Sequence, residues 1–333
     1  MEIFFLTEAG TDIGYGHLFR CLSIYQAFEE RGFKSSIIVN CDGNLDNVLT
    51  NTNYVITNWE KNPNDIFDKL SYSDILIIDS YTIGTDLISK LQFKYNKIAI
   101  IDDYNRRKYN SGIVIDWTVN IEFENKYEFS QNVKYLLGTS YTALRKDFWD
   151  IKPKQINYKV STIFVSFGGS DVKNLTPKVL EILNRNFRDI KCIAIIGNGY
   201  LKSQNIKNFR NVILEYNCSA TEMKDHMLNC DLAISTGGQT LYELARTGTP
   251  TITIGTVDNS TQDILGWGKV NFTECAGNWD DHNLEGKLVG LVYKFKSKKN
   301  RQVKSIIGQS LIDGQGCFRI CDSILNQYSN HSL

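Results

Sequence analysis

"IFFLTEAGTDIGYGHLFRCLSIYQAFEERG", residues 3–32, decides how the chain is read. A short apolar run, "IFFL", gives way to a polar, glycine-bearing turn and then to a stretch with helical spacing. Leu18, Cys21, Leu22, Tyr25 and Phe28 share one helical face, and Gly32 supplies the stop that follows it. Gly14 and Gly16 let the backbone pass close to a ligand, and they set His17 in the first turn of the helix. An imidazole there can take a proton, which suits a general base that activates water. The bland alternative is a histidine that caps its helix or packs; a glycine turn at a strand end favours the functional role. His226, His282 and His331 have no comparable setting and are read as structural.

Outward from that segment the same alternation recurs. "SSIIV", "YVIT", "DILIID", "KIAIID", "GIVID" and "KYLLG" follow in the first 140 residues, then "STIFVSFGG", "KCIAIIGNG", "NVILEY", "DLAISTGG" and "PTITIG". Most are near-continuous Ile/Val/Leu, as expected of parallel strands covered on both faces, with helical spacing between them. Two α/β domains with doubly wound parallel sheets are therefore expected. The polar, proline-bearing "DIKPKQINYK" at 150–159 separates the two series, giving domains of 1–150 and 155–333, the second ending in the helix "QGCFRICDSILNQYS".

Bulk properties narrow the function classes. The chain has 333 residues, 37 of each charge sign, and 42% apolar residues, as in a soluble two-domain protein. No basic face suggests nucleic acid; the cluster "KFKSKKNR" at 294–301 reads as a solvated helix end or loop. The amino terminus lacks the basic n-region of a signal peptide, and no apolar run is long enough to span a membrane. Eight dispersed cysteines, none in C-x-x-C, read as free thiols in a reducing, cytoplasmic setting. Neither cysteines nor histidines show metal-ligand spacing, so no metal and no cofactor are expected. Neutral charge leaves the oligomeric state open.

In doubly wound sheets ligands bind beyond the carboxyl ends of the strands. There the first half carries "TEAGTDIGYGH", Asp79 before "SYTIG", and Asp102 with Asp103; the second carries "GGSDVKN", "TGGQTLYEL" and "TVDNSTQD". "STGGQT", residues 235–240, opens a helix: Gly237 and Gly238 admit an oxyanion to the first-turn amides, and Ser235, Thr236 and Thr240 add hydroxyls. Glu243, one turn on, can accept both hydroxyls of a ribose. "FGGSDVKN", with Gly168 and Gly169, repeats the phosphate-binding device.

These residues carry a resemblance. "GYGHLFRCL", "IIDSY", "IDD", "GTSYTALRKDF", "FGGSDVKN" and "STGGQTLYELARTGTP" with "VDN" occur in the order found in the UDP-2,4-diacetamido-2,4,6-trideoxy-β-L-altropyranose hydrolases of pseudaminic acid biosynthesis. The resemblance covers roughly residues 1–275. It implies the GT-B architecture, two Rossmann-like domains facing across a cleft, with a UDP-sugar as substrate and UDP as product. It implies His17 as the base that drives water onto the anomeric carbon with inversion. Gly14, Gly16, Arg20, Asp79, Tyr81, Tyr141, Leu144, Arg145, Gly168, Gly169, Asp171 and Asn174 would meet the substrate. Ser235, Thr236, Gly237, Gly238, Gln239, Thr240, Glu243, Asp258 and Asn259 would hold UDP. Two departures stand out: Ser80 occupies the place of a histidine in "IIDHY", bearing on the sugar contacts, and Cys21 stands where an acid can occur. A GT-B glycosyltransferase with a UDP-sugar donor, serving surface polysaccharide synthesis, is the alternative; a binding protein without catalysis is a third.

Overall fold

The computed structural model describes residues 2–329 except 11–12, 42, 44, 47, 60, 71–73, 96, 120–126, 198, 201–205, 208 and 257, and except the side chains of 258–261. The chain forms two compact units. The first comprises residues up to Thr118, the stretch ending at Lys146, and Gln315 onward; the second comprises Asp147–Gly314 together with Val119.

In the first unit, β1 (Ile3–Glu8), β2 (Ser35–Asn40), β3 (Tyr54–Thr57), β4 (Ile75–Asp79), β5 (Ile98–Ile101), β6 (Gly112–Asp116) and β7 (Val133–Leu137) form one sheet in the order β3-β2-β1-β4-β5-β6-β7. Every pairing is parallel. Helix α1 (Gly16–Glu30) covers one face, where Phe5 meets the Tyr25 and Phe28 rings at 6.0 and 6.3 Å. It ends as expected: Gly32 has φ +77°, its amide donates to the Glu29 carbonyl, and the Phe33 amide donates to the Phe28 carbonyl. The opposite set of strand residues, including Leu6, Leu76, Ile78, Ile98, Ile100 and Val114, packs with Ile66 of α2 (Asn64–Phe67) and with Ile88 and Leu91 of α3 (Thr85–Lys94). Alternate residues thus go to opposite faces, and both faces are covered, which is why these strands read as unbroken apolar runs.

The second unit repeats the plan with β8 (Thr162–Ser166), β9 (Lys191–Ile196), β10 (Val212–Tyr216), β11 (Leu232–Ser235), β12 (Thr251–Gly255) and β13 (Thr273–Asn278), all parallel, in the order β10-β9-β8-β11-β12-β13. Its helices are α4 (Leu175–Asn186), α5 (Ala220–Asn229), α6 (Gln239–Thr247), α7 (Asp258–Lys269), α8 (Leu284–Phe295) and α9 (Lys298–Leu311). One core joins Ile163, Val165, Leu232, Ile234, Ile252 and Ile254 to apolar residues of α4 and α8.

Three features depart from the sequence reading. Strand β13, "TECAGN", has no apolar run, because it is an edge strand whose residues are half exposed. The last helix, α10 (Gly316–Ser329), belongs to the first unit rather than the second: Cys317 donates to the Leu144 carbonyl at 3.5 Å, and the Tyr328 hydroxyl to the Ile98 carbonyl at 2.7 Å. Its apolar face has no strand after it in sequence to betray which sheet it covers. Arg301, expected on a solvated helix end, is buried and donates to the carbonyls of Phe295, Asn157 and Tyr158. Among the described residues no helix is long and apolar enough to cross a membrane.

Candidate active site

Four neighbouring strands of the first sheet end in an acid: Glu8 on β1, Asp79 on β4, Asp102 and Asp103 just beyond β5, and Asp116 on β6. Onto this edge α1 delivers His17 and Arg20, one turn apart. The turn before it is closed by reciprocal backbone bonds between Gly10 and Gly14, at 3.2 and 2.7 Å, with Gly14 at φ +78°. A side chain at Gly16 would meet nothing within 4 Å, so the first turn of α1 is open on that side.

His17 is 7% exposed, and its surroundings are polar. Its Nδ1 lies 2.7 Å from Asp79 Oδ1. A carboxylate only accepts, so this contact puts the ring proton on Nδ1 and leaves Nε2 as the basic nitrogen. Arg20 Nη2, 2.9 Å from Nδ1, is then a neighbouring donor; its partner is Asp79 Oδ1 at 2.6 Å. Nε2 is 3.8 Å from Glu8 Oε1, beyond hydrogen-bond reach. The Tyr81 ring stands edge-on to the imidazole, centroids 4.3 Å apart.

Arg20 grips Asp79 with both arms, Nε to Oδ2 at 2.8 Å and Nη2 to Oδ1, while Nη1 reaches Asp103 Oδ2 at 2.5 Å. Burial works against the Asp79 charge, but Arg20 and His17 outweigh it and hold its carboxyl down at about 2. Burial likewise opposes the Arg20 charge, and Asp103 and Asp79 together raise its proton affinity well above the ordinary value. Burial, then the Asp103 charge, push the Tyr81 hydroxyl upward, so it stays a donor; it reaches Asp103 Oδ2 at 3.2 Å. Arg106 lies over that ring at 3.7 Å from its centroid and pairs with Asp102 at 2.9 Å.

Glu8 was not singled out from sequence, yet it organises the loop after β4. Its carboxylate accepts from the Ser80 hydroxyl, the Tyr81 and Thr82 amides and the Thr82 hydroxyl. Ser80 is therefore turned inward as a loop fastener. Cys21 is also interior, its thiol pushed up by burial and then by the Asp79 charge. Arg20 and Asp79, expected to meet substrate, engage each other, His17 and Asp103. The signal that could have exposed the cluster is the repeated acid at the strand ends.

Of the "SYTALR" segment, Tyr141 closes a 3₁₀ turn, Thr139–Tyr141, and is half-buried. Leu144 is 1% exposed and part of the interior, whereas Arg145 lies 5.8 Å over the Phe19 ring of α1.

In the second unit, the 167–174 turn departs from a phosphate cradle. Asp171 is buried, and its oxygens accept from the Leu175 and Thr176 amides at 2.8 Å each, occupying the start of α4 from within. Asn174 accepts from the Tyr200 hydroxyl. Gly168, at φ +79°, and Gly169 face open space on their side-chain side. At 235–240, Ser235 donates to the Ser166 carbonyl at 2.9 Å, and Thr236 meets the Thr256 hydroxyl at 3.0 Å. Gly238 precedes α6 at φ +107°, and its amide donates to Asp263 Oδ2 at 2.7 Å. Helix α6 starts without a side-chain cap or an acid in its first turn. Gly237, Gln239 and Thr240 are half-buried there, and Glu243 is buried one turn on. The side chains of Asp258 and Asn259 lie outside the described residues. Among the described residues no group of three His, Cys, Asp or Glu side chains is placed to hold a metal ion.

The chain matches solved structures over nearly its whole length. Arabidopsis thaliana UGT89C1 complexed with UDP superposes with a TM-score of 0.66 at 10% identity, covering 97% of this chain and 100% of that one. The fold is GT-B. Residues 162–264 of this GT-B chain match the glycosyltransferase family 28 C-terminal domain. An uncharacterized protein of Methanocaldococcus jannaschii is 29% identical over 280 residues, 76% of this chain and 55% of its own. The pseudaminic acid cytidylyltransferase and UDP-2,4-diacetamido-2,4,6-trideoxy-β-L-altropyranose hydrolase of Helicobacter pylori is 25% identical over 265 residues, 78% of this chain and 45% of its own. The chain thus spans about half the length of these curated relatives.

Proposed function

We propose that this GT-B chain is a hydrolase that releases UDP from UDP-2,4-diacetamido-2,4,6-trideoxy-β-L-altropyranose, a step of pseudaminic acid biosynthesis. The observation that carries the reading is the Arg20–Asp79–His17 chain of contacts, which orients one imidazole and leaves its Nε2 uncommitted. A base held this way needs no reorganisation when it takes a proton. Water gives its proton to His17 Nε2 as its oxygen bonds to C1; the bond from C1 to the phosphate oxygen breaks, and UDP leaves with that electron pair. Attack opposite the leaving group inverts C1. The second unit takes the nucleotide: the amides that open α6 face the diphosphate, and Glu243 the ribose hydroxyls. The free sugar then goes to a separate enzyme that adds a three-carbon unit. Eight free thiols fit work in the cytoplasm.

The match to a glycosyltransferase domain favours one second reading, transfer of the sugar to an acceptor hydroxyl deprotonated by the same imidazole. UDP release from the donor alone separates the two: a hydrolase liberates it at once, a transferase only when an acceptor is supplied. Turnover in ¹⁸O-water then tests the bond cleaved. Label in the sugar supports attack at C1; label in UDP overturns it.

A further inference from the structure

Asp103 stands out at the acidic edge once the hydrogen-bond and ion-pair partners of each carboxylate are assigned. Glu8 receives four donors from residues 80–82. Asp79 receives His17 and two arms of Arg20. Asp102 Oδ2 accepts from the Arg107 amide at 3.2 Å, and its Oδ1, though no hydrogen bond reaches it, is ion-paired with Arg106 Nε at 2.9 Å. Asp116 accepts from the Thr118 amide and hydroxyl, the Tyr104 amide and the Tyr127 hydroxyl. Asp103 differs: Arg20 and Tyr81 both donate to Oδ2, while Oδ1, in a residue only 6% exposed, has neither a hydrogen-bond nor an ion-pair partner among the described residues. A carboxylate oxygen buried without a donor is costly, and such an atom beside a reactive group invites a ligand that completes it.

We propose that Asp103 is a specificity residue whose Oδ1 accepts a hydrogen bond from a neutral N–H or O–H donor on the glycosyl part of the substrate. The proposal rests on the UDP-sugar reading above. Asp103 shares Arg20 with Asp79 and Tyr81 with His17, so a donor held there belongs to the molecule on which His17 acts. The diphosphate is a poor candidate for this place. Five acids crowd the edge, and Arg20, Arg106 and Arg107 already serve carboxylates, a ring and the carbonyls of Tyr81 and Ile83. The amide N–H of an acetamido group and a ring hydroxyl share the required chemistry.

Asp103→Asn discriminates sharply. Arg20 and Tyr81 both donate to Oδ2, so the remaining oxygen of the asparagine must face them, which puts an NH2 where Oδ1 was. An acceptor becomes a donor with little change of shape. Wild type and D103N are titrated calorimetrically with UDP, with free 2,4-diacetamido-2,4,6-trideoxyaltrose and with 6-deoxyaltrose, and their melting temperatures are compared. The expected result is a loss of diacetamido-sugar affinity of about 10- to 100-fold in D103N, with UDP affinity kept and a melting temperature that still leaves the variant folded at the titration temperature. If 6-deoxyaltrose binding is unaffected, the donor is an amide N–H; if it weakens equally, the donor is a hydroxyl. Unchanged sugar binding, or UDP and sugar affinity falling together, overturns the proposal. Wild type that binds the sugar but not UDP overturns the UDP reading instead, and the sugar titration still judges Asp103.

Discussion

Asp79 holds His17 by its Nδ1 at 2.7 Å while Arg20 clamps both oxygens of the same carboxylate. The acid is fixed before it fixes the base. Replacing His17 by Ala should therefore lower UDP release by ~100-fold or more, with UDP affinity within twofold of wild type. Near-normal release would remove His17 from the role of base.

Asp79→Asn keeps the shape but offers an amide that can donate to Nδ1. The ring proton then moves to Nε2, and the basic nitrogen faces the wrong way. A fall in kcat of ~100-fold or more is expected, with KM little changed because Asp79 is fully buried. A parallel rise in KM would point to direct contact with the substrate.

The same carboxyl makes stability depend on acid. It gives up its proton more readily folded, at about 2, than at the ordinary value of 3.8. Its contribution is thus complete above pH 4 and is lost as pH falls through about 2, amounting to roughly 2 kcal/mol. Urea titrations from pH 5 to pH 2 should show that loss in wild type and a shallower slope in Asp79→Asn. Equal slopes would mean that Asp79 does not carry the effect.

Arg20→Lys retains the charge but not the two-armed grip, and Lys cannot also span to Asp103. Turnover should drop about 10-fold or more with a lower melting temperature, and Arg20→Ala should cost about 3–5 kcal/mol because it leaves buried acids unpaired. Calorimetric unfolding of the two variants ranks them; an Ala variant as stable as the Lys one would contradict the clamp.

In the second unit, Gly238 sits at φ +107°, ψ −168°, a conformation a side chain resists at about 1–3 kcal/mol. Gly238→Ala and Glu243→Gln should each weaken UDP about 10-fold, Gly238→Ala by moving the turn and Glu243→Gln by removing a charged acceptor. UDP titration with unchanged affinity in Glu243→Gln would dismiss the ribose role.

Much of the fold was legible because its cause is local. A strand covered on both faces must be apolar at every position, so β1, β4, β5, β8 and β11 announce themselves, and Gly32 marks the end of α1 through the backbone angle it alone takes easily. Strand β13 was invisible for the same reason reversed: half-exposed, it needs no apolar run. Of the candidate site, His17 and Asp79 were found from the glycine turn and a strand end, and Arg20 and Tyr81 from the family resemblance, while Glu8 was passed over because one acid at the end of a strand looks like any other until its donors are known.

By itself, then, the sequence determined two parallel sheets, a glycine turn and a histidine at the first turn of a helix, since each follows from periodicity and backbone preference along neighbouring residues. Only the tertiary structure decided that Asp79 meets His17 and Arg20 from 59 or more residues away, that Asp171 caps its own helix, and that α10 returns to the first unit. Those outcomes depend on which charged and apolar surfaces the chain brings together at a distance, where desolvation makes every buried acid find a donor.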